Sequence, residues 1–514
     1  MIGTSSPDRF IERRAVAADD RDNCAGLLER PRDLAADAAS TAGHNGMCGV
    51  GKSGHARVSS DVSGRPHHAI YFNLQIFATT RLMRLDSPAS PASVPASAKN
   101  SFAARRALSD APTCVSRVRR RGFCRLEDRR RTRSGGRRIC ELRFGQGDSI
   151  LKIAVLGGGN GSFAAAGDFA LGGHEVRLWR RDAELVAQHR AAGSTIIVKD
   201  VNGRHEARLA LVTTDISAAV AGAELILCPA PAFAQADIAR QLAPHLVDGQ
   251  VVFLPPATFG TMIFAAAARD AGNKSVVSYA ETGTLPWLTR KHDLFEVAIT
   301  IRAKRLPVGV FPLKTAEHAL AIIGGAFPGV IEPCGDALSG ALMNAGCIIH
   351  PPLIVMNAGP IEHFERWDIH KEGTQPSIRR VTDALDHERI AVREALGYGA
   401  PHFPLAHHYA KEGEIWMYGR GSHDRLTDSG DWREQLVLTQ HRYMREDLRL
   451  GLSLLISAAE LAGMPTPLAR AFLAIGGAIC GEDFMAMGRT LASLGLGGLD
   501  RAALQALLAE GYAA

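Results

Sequence analysis

The sequence predicts an α/β domain built on a parallel sheet, then an all-α domain, with an irregular extension in front of both. Three observations predict it. Short apolar runs alternate with helical stretches from Leu151 to about Pro333. Beyond Cys334 the apolar residues recur at spacings of three and four. Residues 1–148 show little periodicity of either kind. A chain of 514 residues is also too long for one ordinary core. The expected division is 1–149, 150–334 and 335–514.

The front segment is compositionally distinct. Of 59 Lys+Arg and 53 Asp+Glu in the chain, residues 1–150 hold 26 and 15, which leaves 33 and 38 for the remainder. The positive charge thus belongs to the front, and the folded part gives no electrostatic reason to expect nucleic acid or membrane binding. Pro/Ala/Ser-rich patches such as DSPASPASVPASAKN and an arginine run from Arg117 to Arg138 dominate it; only Ala69–Met83 could form a strand or short helix. Such a stretch buries too little apolar surface to offset its ordering entropy. A transit peptide would carry fewer acids than the Asp19–Asp22 cluster supplies. Three readings stay open: a disordered extension, a polyanion-binding arm, or a spurious extension outside the native protein. The last would arise if Leu151 were a start codon other than ATG.

Five cysteines lie in the front segment and four (Cys228, Cys334, Cys347, Cys480) are scattered through the rest without a C-x-x-C. Neither a zinc site nor a disulfide framework is expected, and a reducing cytoplasm is the expected compartment. No transmembrane helix is expected: the apolar stretches near Leu450–Met464 and Pro467–Cys480 carry Glu460 and Arg470 and read as buried helices.

The α/β part opens with LKIAVLG, a continuous apolar strand of the kind buried on both faces. Gly157-Gly158-Gly159-Asn160-Gly161-Ser162 follows. Gly157 permits a tight turn, and Gly159 lets the backbone approach a pyrophosphate. A helix from Asn160 aims its free N–H groups at that anion. Ser162 stands at the third fingerprint glycine and is small enough for close helix–strand packing. With a second strand at His174–Trp179, this is a Rossmann-type dinucleotide-binding unit. That strand ends in Trp179-Arg180-Arg181-Asp182 instead of an acid for the ribose hydroxyls. Two guanidiniums suit a 2′-phosphate, which favours NADP(H) over NAD(H). The plainer reading is solvated arginines with Asp182 capping the next helix.

Ser194–Lys199 and Arg204–Val212 are expected as strands joined at Asn202-Gly203. AELILCPAPAFAQ, QVVFLPPATFG and KSVVSYAETGTLPW are further strands running into turns. Glu281, Thr282 and Thr284 follow the last of these and are read as turn formers that could line a cleft. In the helical part, DALSGALMNAGCIIHPPLIVMNAG has helical spacing. SIRRVTDALDHERIAVREALG is amphipathic with acid–base pairs on its wet face. Asp500 is expected to cap the last helix, with Leu499 and Leu504 as a hydrophobic staple. A dinucleotide unit followed by a helical unit puts the active site between them.

VLGGGNGSFAAAGDFALGGHEVRLW, NAGCIIHPPLIVMNAGPIE, LDHERIAVREALG and RYMREDLRLGL…AGMPTP occur in that order. Together they resemble the opine dehydrogenases of the octopine/nopaline type over residues 151 to about 500. The resemblance implies NAD(P)H-dependent reductive condensation of an amino acid with a 2-oxo acid through an imine. It implies that His350 is the catalytic histidine, that Asp447 orients and charge-stabilises its ring, and that Arg442 holds a substrate carboxylate. Asn344 is implied as a substrate or nicotinamide contact. The partners implied are small molecules only, and a homodimer is compatible with the reading.

Plainer readings exist for each residue. A histidine before two prolines can simply mark a helix end. Arg442 and Glu446, four apart, could be a surface ion pair. Arg442 and Asp447, five apart, stand about 140° from each other on an ideal α-helix, so spacing alone does not join them. His402, His407 and His408 lack a carboxylate at helical spacing and read as a loop, and Cys347 reads as a small buried residue. Trp287, Leu288 and Arg449 depart from the family pattern and are expected to reshape the substrate pocket. Rival functions are a ketopantoate reductase or glycerol-3-phosphate dehydrogenase type, which would need a lysine donor (only Lys371 and Lys411 follow residue 334), and a non-catalytic dinucleotide-binding regulator. A nucleic-acid binder acting through the arginine-rich front is the third.

Overall fold

The computed structural model describes residues 150–513. The readings made for the front segment, its basic arm and Ala69–Met83 included, lie outside the described residues.

Strands β1 (Lys152–Leu156), β2 (Glu175–Trp179), β3 (Thr195–Asp200), β4 (Gly203–Arg208), β5 (Leu211–Thr213), β6 (Leu225–Leu227), β7 (Val251–Leu254), β8 (Ser278–Thr282), β9 (Trp287–Asp293), β10 (Glu296–Arg302), β11 (Leu306–Phe311) and β12 (Ile331–Asp336) form two sheets. The larger runs β5-β2-β1-β6-β7-β8-β11-β12. It is parallel from β5 to β8, β11 is antiparallel to β8, and β12 is parallel to β11. This is the doubly wound order, with β1 beside the point where the winding reverses. Ile153–Leu156, Leu225–Leu227 and Val251–Leu254 are buried throughout, as unbroken apolar runs require when both faces are covered.

The stretch expected as one strand over Arg204–Val212 is two. β4 closes the Asn202-Gly203 hairpin, with Gly203 at φ +122°, and β5 leaves to pair with β2. The hairpin joins β9 and β10 in a second sheet, β4-β3-β10-β9. That sheet packs on the helix Asn160–Leu171 so closely that a Cβ at Gly167 would lie 2.5 Å from Val198 Cγ2.

Helices Ala337–Ala341, Gly346–Met356, Pro376–Ala395, Ser453–Ala462 and Pro467–Cys480, with a π-helical segment Tyr443–Leu452, form the helical part. The stretch Ala337–Met356 is long and apolar enough to cross a membrane by length and composition, but 78% of its most apolar 18-residue window is buried inside the protein, as in a core helix. The wet-face ion pairs expected on Pro376–Ala395 are also corrected. Arg389 holds Asp386 at 2.6 Å in the interior and donates to Leu342 O (3.1 Å), while Arg393 donates to Ser339 O (2.6 Å). These arginines satisfy carbonyls at the C-terminal end of Ala337–Ala341, which that helix cannot satisfy itself.

The last helix, Arg501–Glu510, is capped by Asp500, which accepts from Ala503 N at 2.8 Å. Its trailing Tyr512 returns to the α/β part, 5.7 Å from Phe311 edge-on and 4.4 Å under Arg269. One hydrophobic core runs through both parts.

Candidate active site

The glycine-rich turn sits at the carboxyl end of β1. Gly157 has φ +125°, donates to Trp179 O (2.9 Å) and leaves no room for a side chain: a Cβ would lie 2.6 Å from Ser162 Oγ. Gly159 is the N-cap of Asn160–Leu171 and contributes no side chain, so the first-turn N–H groups open onto the turn. At Gly161 a Cβ would meet Leu285 Cδ1 at 2.9 Å. A cradle bare of Cβ atoms at 157, 158, 159 and 161, at a helix N-terminus, fits a dinucleotide pyrophosphate. Asn160 is tied down, its Oδ1 accepting from Lys291 N at 2.8 Å.

The two arginines after β2 part company. Arg180 is buried, its Nε 2.7 Å from where a Cβ of Gly158 would stand and its guanidinium 5.3 Å over the Phe163 ring. Lys291, which the sequence reading did not single out, places Nζ 4.0 Å over the same ring. Arg181 is more exposed and lies 3.4 Å from Asp237. Asp182 caps the helix Ala183–Ala191, accepting from Leu185 N at 2.9 Å.

The chain entering the His350 helix is docked on the carboxyl ends of β7 and β8. Asn344 Nδ2 donates to Thr258 Oγ1 (3.0 Å), and Ala345 N donates to Gly283 O (2.9 Å). Asn344 is buried, and its Oδ1 accepts from Gly346 N at 3.0 Å. Both ends of the amide expected to touch ligand are therefore engaged within the chain, joining the turn after β7 to the start of the His350 helix. Glu281 and Thr282 are not turn residues: both are buried in β8. Glu281 accepts from Phe259 N (2.8 Å) and Thr261 Oγ1 (2.6 Å), and burial pushes its carboxyl up to about 7. Thr284 meets Tyr418 Oη at 2.6 Å.

His350 lies within the helix Gly346–Met356 and not at its end. Its Nδ1 is 2.9 Å from Asp447 Oδ2. Burial alone would raise the Asp447 carboxyl, but the charge and hydrogen bond of His350, then Arg442 and His441, bring it below its ordinary value. An ionised carboxylate only accepts, so His350 carries its proton on Nδ1 and turns Nε2 to its surroundings. Asp447 reaches that position from the π-helical segment, where i→i+5 bonding replaces the α-helical register assumed in the spacing argument. Arg442, at the head of the segment, pairs at 3.4 Å with Glu446, which is buried, so this is not the plain surface pair considered from sequence.

The remaining candidates are structural. Cys347 is buried and seated against Gly451. Trp287, expected to shape the pocket, packs with Phe169 and Phe327, and its Nε1 donates to Asp168 (2.7 Å). Arg449 lies 3.6 Å from Glu482. His402 Nδ1 meets Arg393, and His408 Nδ1 meets Ser422. Lys371 and Lys411 sit in exposed pairs with Asp428 and Asp424, which leaves the lysine-donor rival without a buried lysine in the helical part. Sequence reasoning missed Tyr443, His370, Arg290 and Arg489, for which only proximity in space is a signal.

A glycine cradle at the edge of a parallel sheet, with a His–Asp pair in an attached helical part, defines a two-domain NAD(P)-dependent oxidoreductase. The chain belongs to the opine dehydrogenase family, whose members act on CH–NH donors. The family model described as NAD/NADP octopine/nopaline dehydrogenase, alpha-helical domain, matches residues 333–480, and that of the NAD-dependent glycerol-3-phosphate dehydrogenase N-terminus matches 152–254. An opine dehydrogenase from Arthrobacter sp. is 30% identical over 358 residues, covering 68% of this chain and 97% of its own. A vitopine synthase from Allorhizobium ampelinum is 27% identical over 380 residues, covering 68% and 96%. A solved octopine dehydrogenase in complex with NADH and agmatine shares the fold, with TM-score 0.54, 20% identity, and coverage of 71% of this chain and 99% of that one.

Proposed function

We propose that this chain condenses an amino acid with a 2-oxo acid and reduces the resulting imine, with His350 as the proton carrier. The observation that carries the assignment is the His350–Asp447 contact at 2.9 Å, on a helix whose entry is docked at the carboxyl edge of the sheet. Neutral His350 takes a proton at Nε2 from the ammonium group of the amino acid as the freed amine adds to the carbonyl, and an N–H proton of the adduct passes to the alkoxide, giving the carbinolamine. The imidazolium, stabilised by Asp447, returns that proton to the carbinolamine hydroxyl, which leaves as water. Arg442 holds a substrate carboxylate by a forked pair of hydrogen bonds. Asn344 serves by fixing Thr258 and the start of the His350 helix. Bound at the glycine cradle, NAD(P)H would supply a hydride for the C=N bond. The residues that would hold it are Gly157, Gly159, Asn160, Gly161 and Ser162. Arg180 and Arg181, in place of an acid after β2, favour NADP(H).

The test is an NADPH-oxidation screen of the full chain, crossing amino acids with pyruvate, glyoxylate and 2-oxoglutarate. Turnover is expected only when an amine and an oxo acid are both present. Turnover with an oxo acid alone would make the protein a simple ketone reductase.

A further inference from the structure

Behind His350 lies a cluster that the assignments above leave unused. The Tyr443 ring is parallel to the His350 imidazole, with centroids 3.5 Å apart and 10° between planes. The Tyr443 hydroxyl is 2.8 Å from His370 Nε2, and His370 in turn stands edge-on to Trp432. We propose that Tyr443, anchored through its hydroxyl by His370, is a positioning residue that fixes the plane of the His350 ring and stabilises its protonated form through the face of the phenol. The inference rests on the reading of His350 as proton carrier.

The direction of the anchoring bond follows from counting donors. Burial holds His370 well below the ordinary histidine range, so the ring is neutral and has one N–H. Among the described residues its Nδ1 has no hydrogen-bond partner. If Nε2 donated, both the phenol proton and the Nδ1 lone pair would be left unmatched. If the phenol donates to Nε2, only the Nδ1–H is unmatched, so the second arrangement leaves fewer orphans. A phenol that donates its proton gains electron density in the ring, and an electron-rich face favours a cation stacked on it.

The restraint complements that of Asp447. A single in-plane bond at Nδ1 leaves the imidazole free to tilt about it; a ring stacked on its face removes that freedom. The charged and titratable groups acting on this cluster include Asp447 and Tyr443 of the π-helical segment, His441 and Arg442 just before it, His370, Arg290 of β9 and Glu434. His441 is neutral, pushed down to about 3 by burial and then by Arg442 and His350. Asp447 and the electron-rich phenol face are direct contacts of the ring that favour the charged imidazole, against the guanidiniums of Arg290 and Arg442 nearby.

The experiment is the pH dependence of kcat and kcat/KM for the full chain and for Y443F, Y443L, Y443M and H350Q, with folding followed by thermal melting. In Y443L the ionisation assigned to His350 is expected to fall by about one pH unit, with kcat down about tenfold and KM nearly unchanged. Y443M, whose unbranched flexible chain adapts to an irregular gap, serves in its place should Y443L fail to fold. Y443F keeps the stack, so its ionisation should move by less than half as much. A loss of kcat in Y443L or Y443M with the ionisation unmoved means a merely structural role and overturns the inference alone. Near-normal turnover in H350Q would overturn the His350 reading and this inference with it.

Discussion

Asp447 leans on the bare backbone of Gly346: a Cβ at Gly346 would lie 2.6 Å from Asp447 Oδ1. The carboxylate thus sits at the N-terminal end of the very helix that carries His350, where a negative charge is favoured, and reaches His350 with its other oxygen.

G346A should therefore separate stability from activity. Glycine to alanine within a helix is ordinarily worth about 0.5–1 kcal/mol of added stability. Here the new methyl displaces the carboxylate, so kcat is expected to fall about tenfold or more while the melting temperature changes little. D447N should cost more, about 10²–10⁴ in kcat, since the amide can present the wrong partner to Nδ1. Steady-state kinetics beside thermal melting check both; unimpaired kcat in G346A would show that Asp447 tolerates the shift.

Arg489 ties the helical part to the dinucleotide part. It is buried, and donates to Gln235 Oε1 (2.9 Å), Ala257 O (2.8 Å), Thr258 O (3.0 Å) and Ala232 O (3.0 Å). R489M removes the donors and leaves those acceptors buried, with an expected loss of about 3–5 kcal/mol in chemical denaturation. The Thr258 turn supports Asn344, so kcat/KM should fall at temperatures where the variant is still folded.

What was legible in the sequence was local. The glycine turn announces itself because its conformation depends on a few adjacent residues, and Asp500 caps its helix for the same reason. The placement of His350 was hidden by Pro351-Pro352, which read as breakers but are accommodated inside the helix. Asp447 was hidden because its segment is π-helical, so an α-helical angle was the wrong ruler. Arg489 bonds main-chain oxygens more than 230 positions away, and no spacing rule reaches that far. The same holds for Lys291, which arrives beside Phe163 only because the second sheet folds over Asn160–Leu171.

Glu281 should make stability depend on pH in a defined window. Its folded value, about 7, lies above its unfolded one because burial opposes the charge. Stability from this group is thus fully present below the unfolded value and is lost as pH rises through about 7. The unfolding free energy of wild type relative to E281Q should drop by up to about 3 kcal/mol between pH 4.5 and 8. Urea melts at several pH values measure it. A flat difference would mean that Glu281 stays ionised throughout, paired with Arg489.

Cofactor preference should divide between the two arginines after β2. Arg180 is buried beside Gly158, with Lys291 over the same Phe163 ring, whereas Arg181 is more exposed beside Asp237. A 2′-phosphate gains a charge-assisted hydrogen bond from each guanidinium that reaches it, about 1.5–3 kcal/mol apiece, whereas a ribose hydroxyl gains much less. R180Q and R181Q should each lower the NADPH-over-NADH ratio of kcat/KM about tenfold or more, with NADH kinetics nearly intact. If R181Q leaves the ratio alone and R180Q changes it, the buried guanidinium is the reader and Arg181 belongs to its pair with Asp237. Equal losses with both coenzymes would instead place Arg180 on the pyrophosphate, the group that NADH and NADPH share.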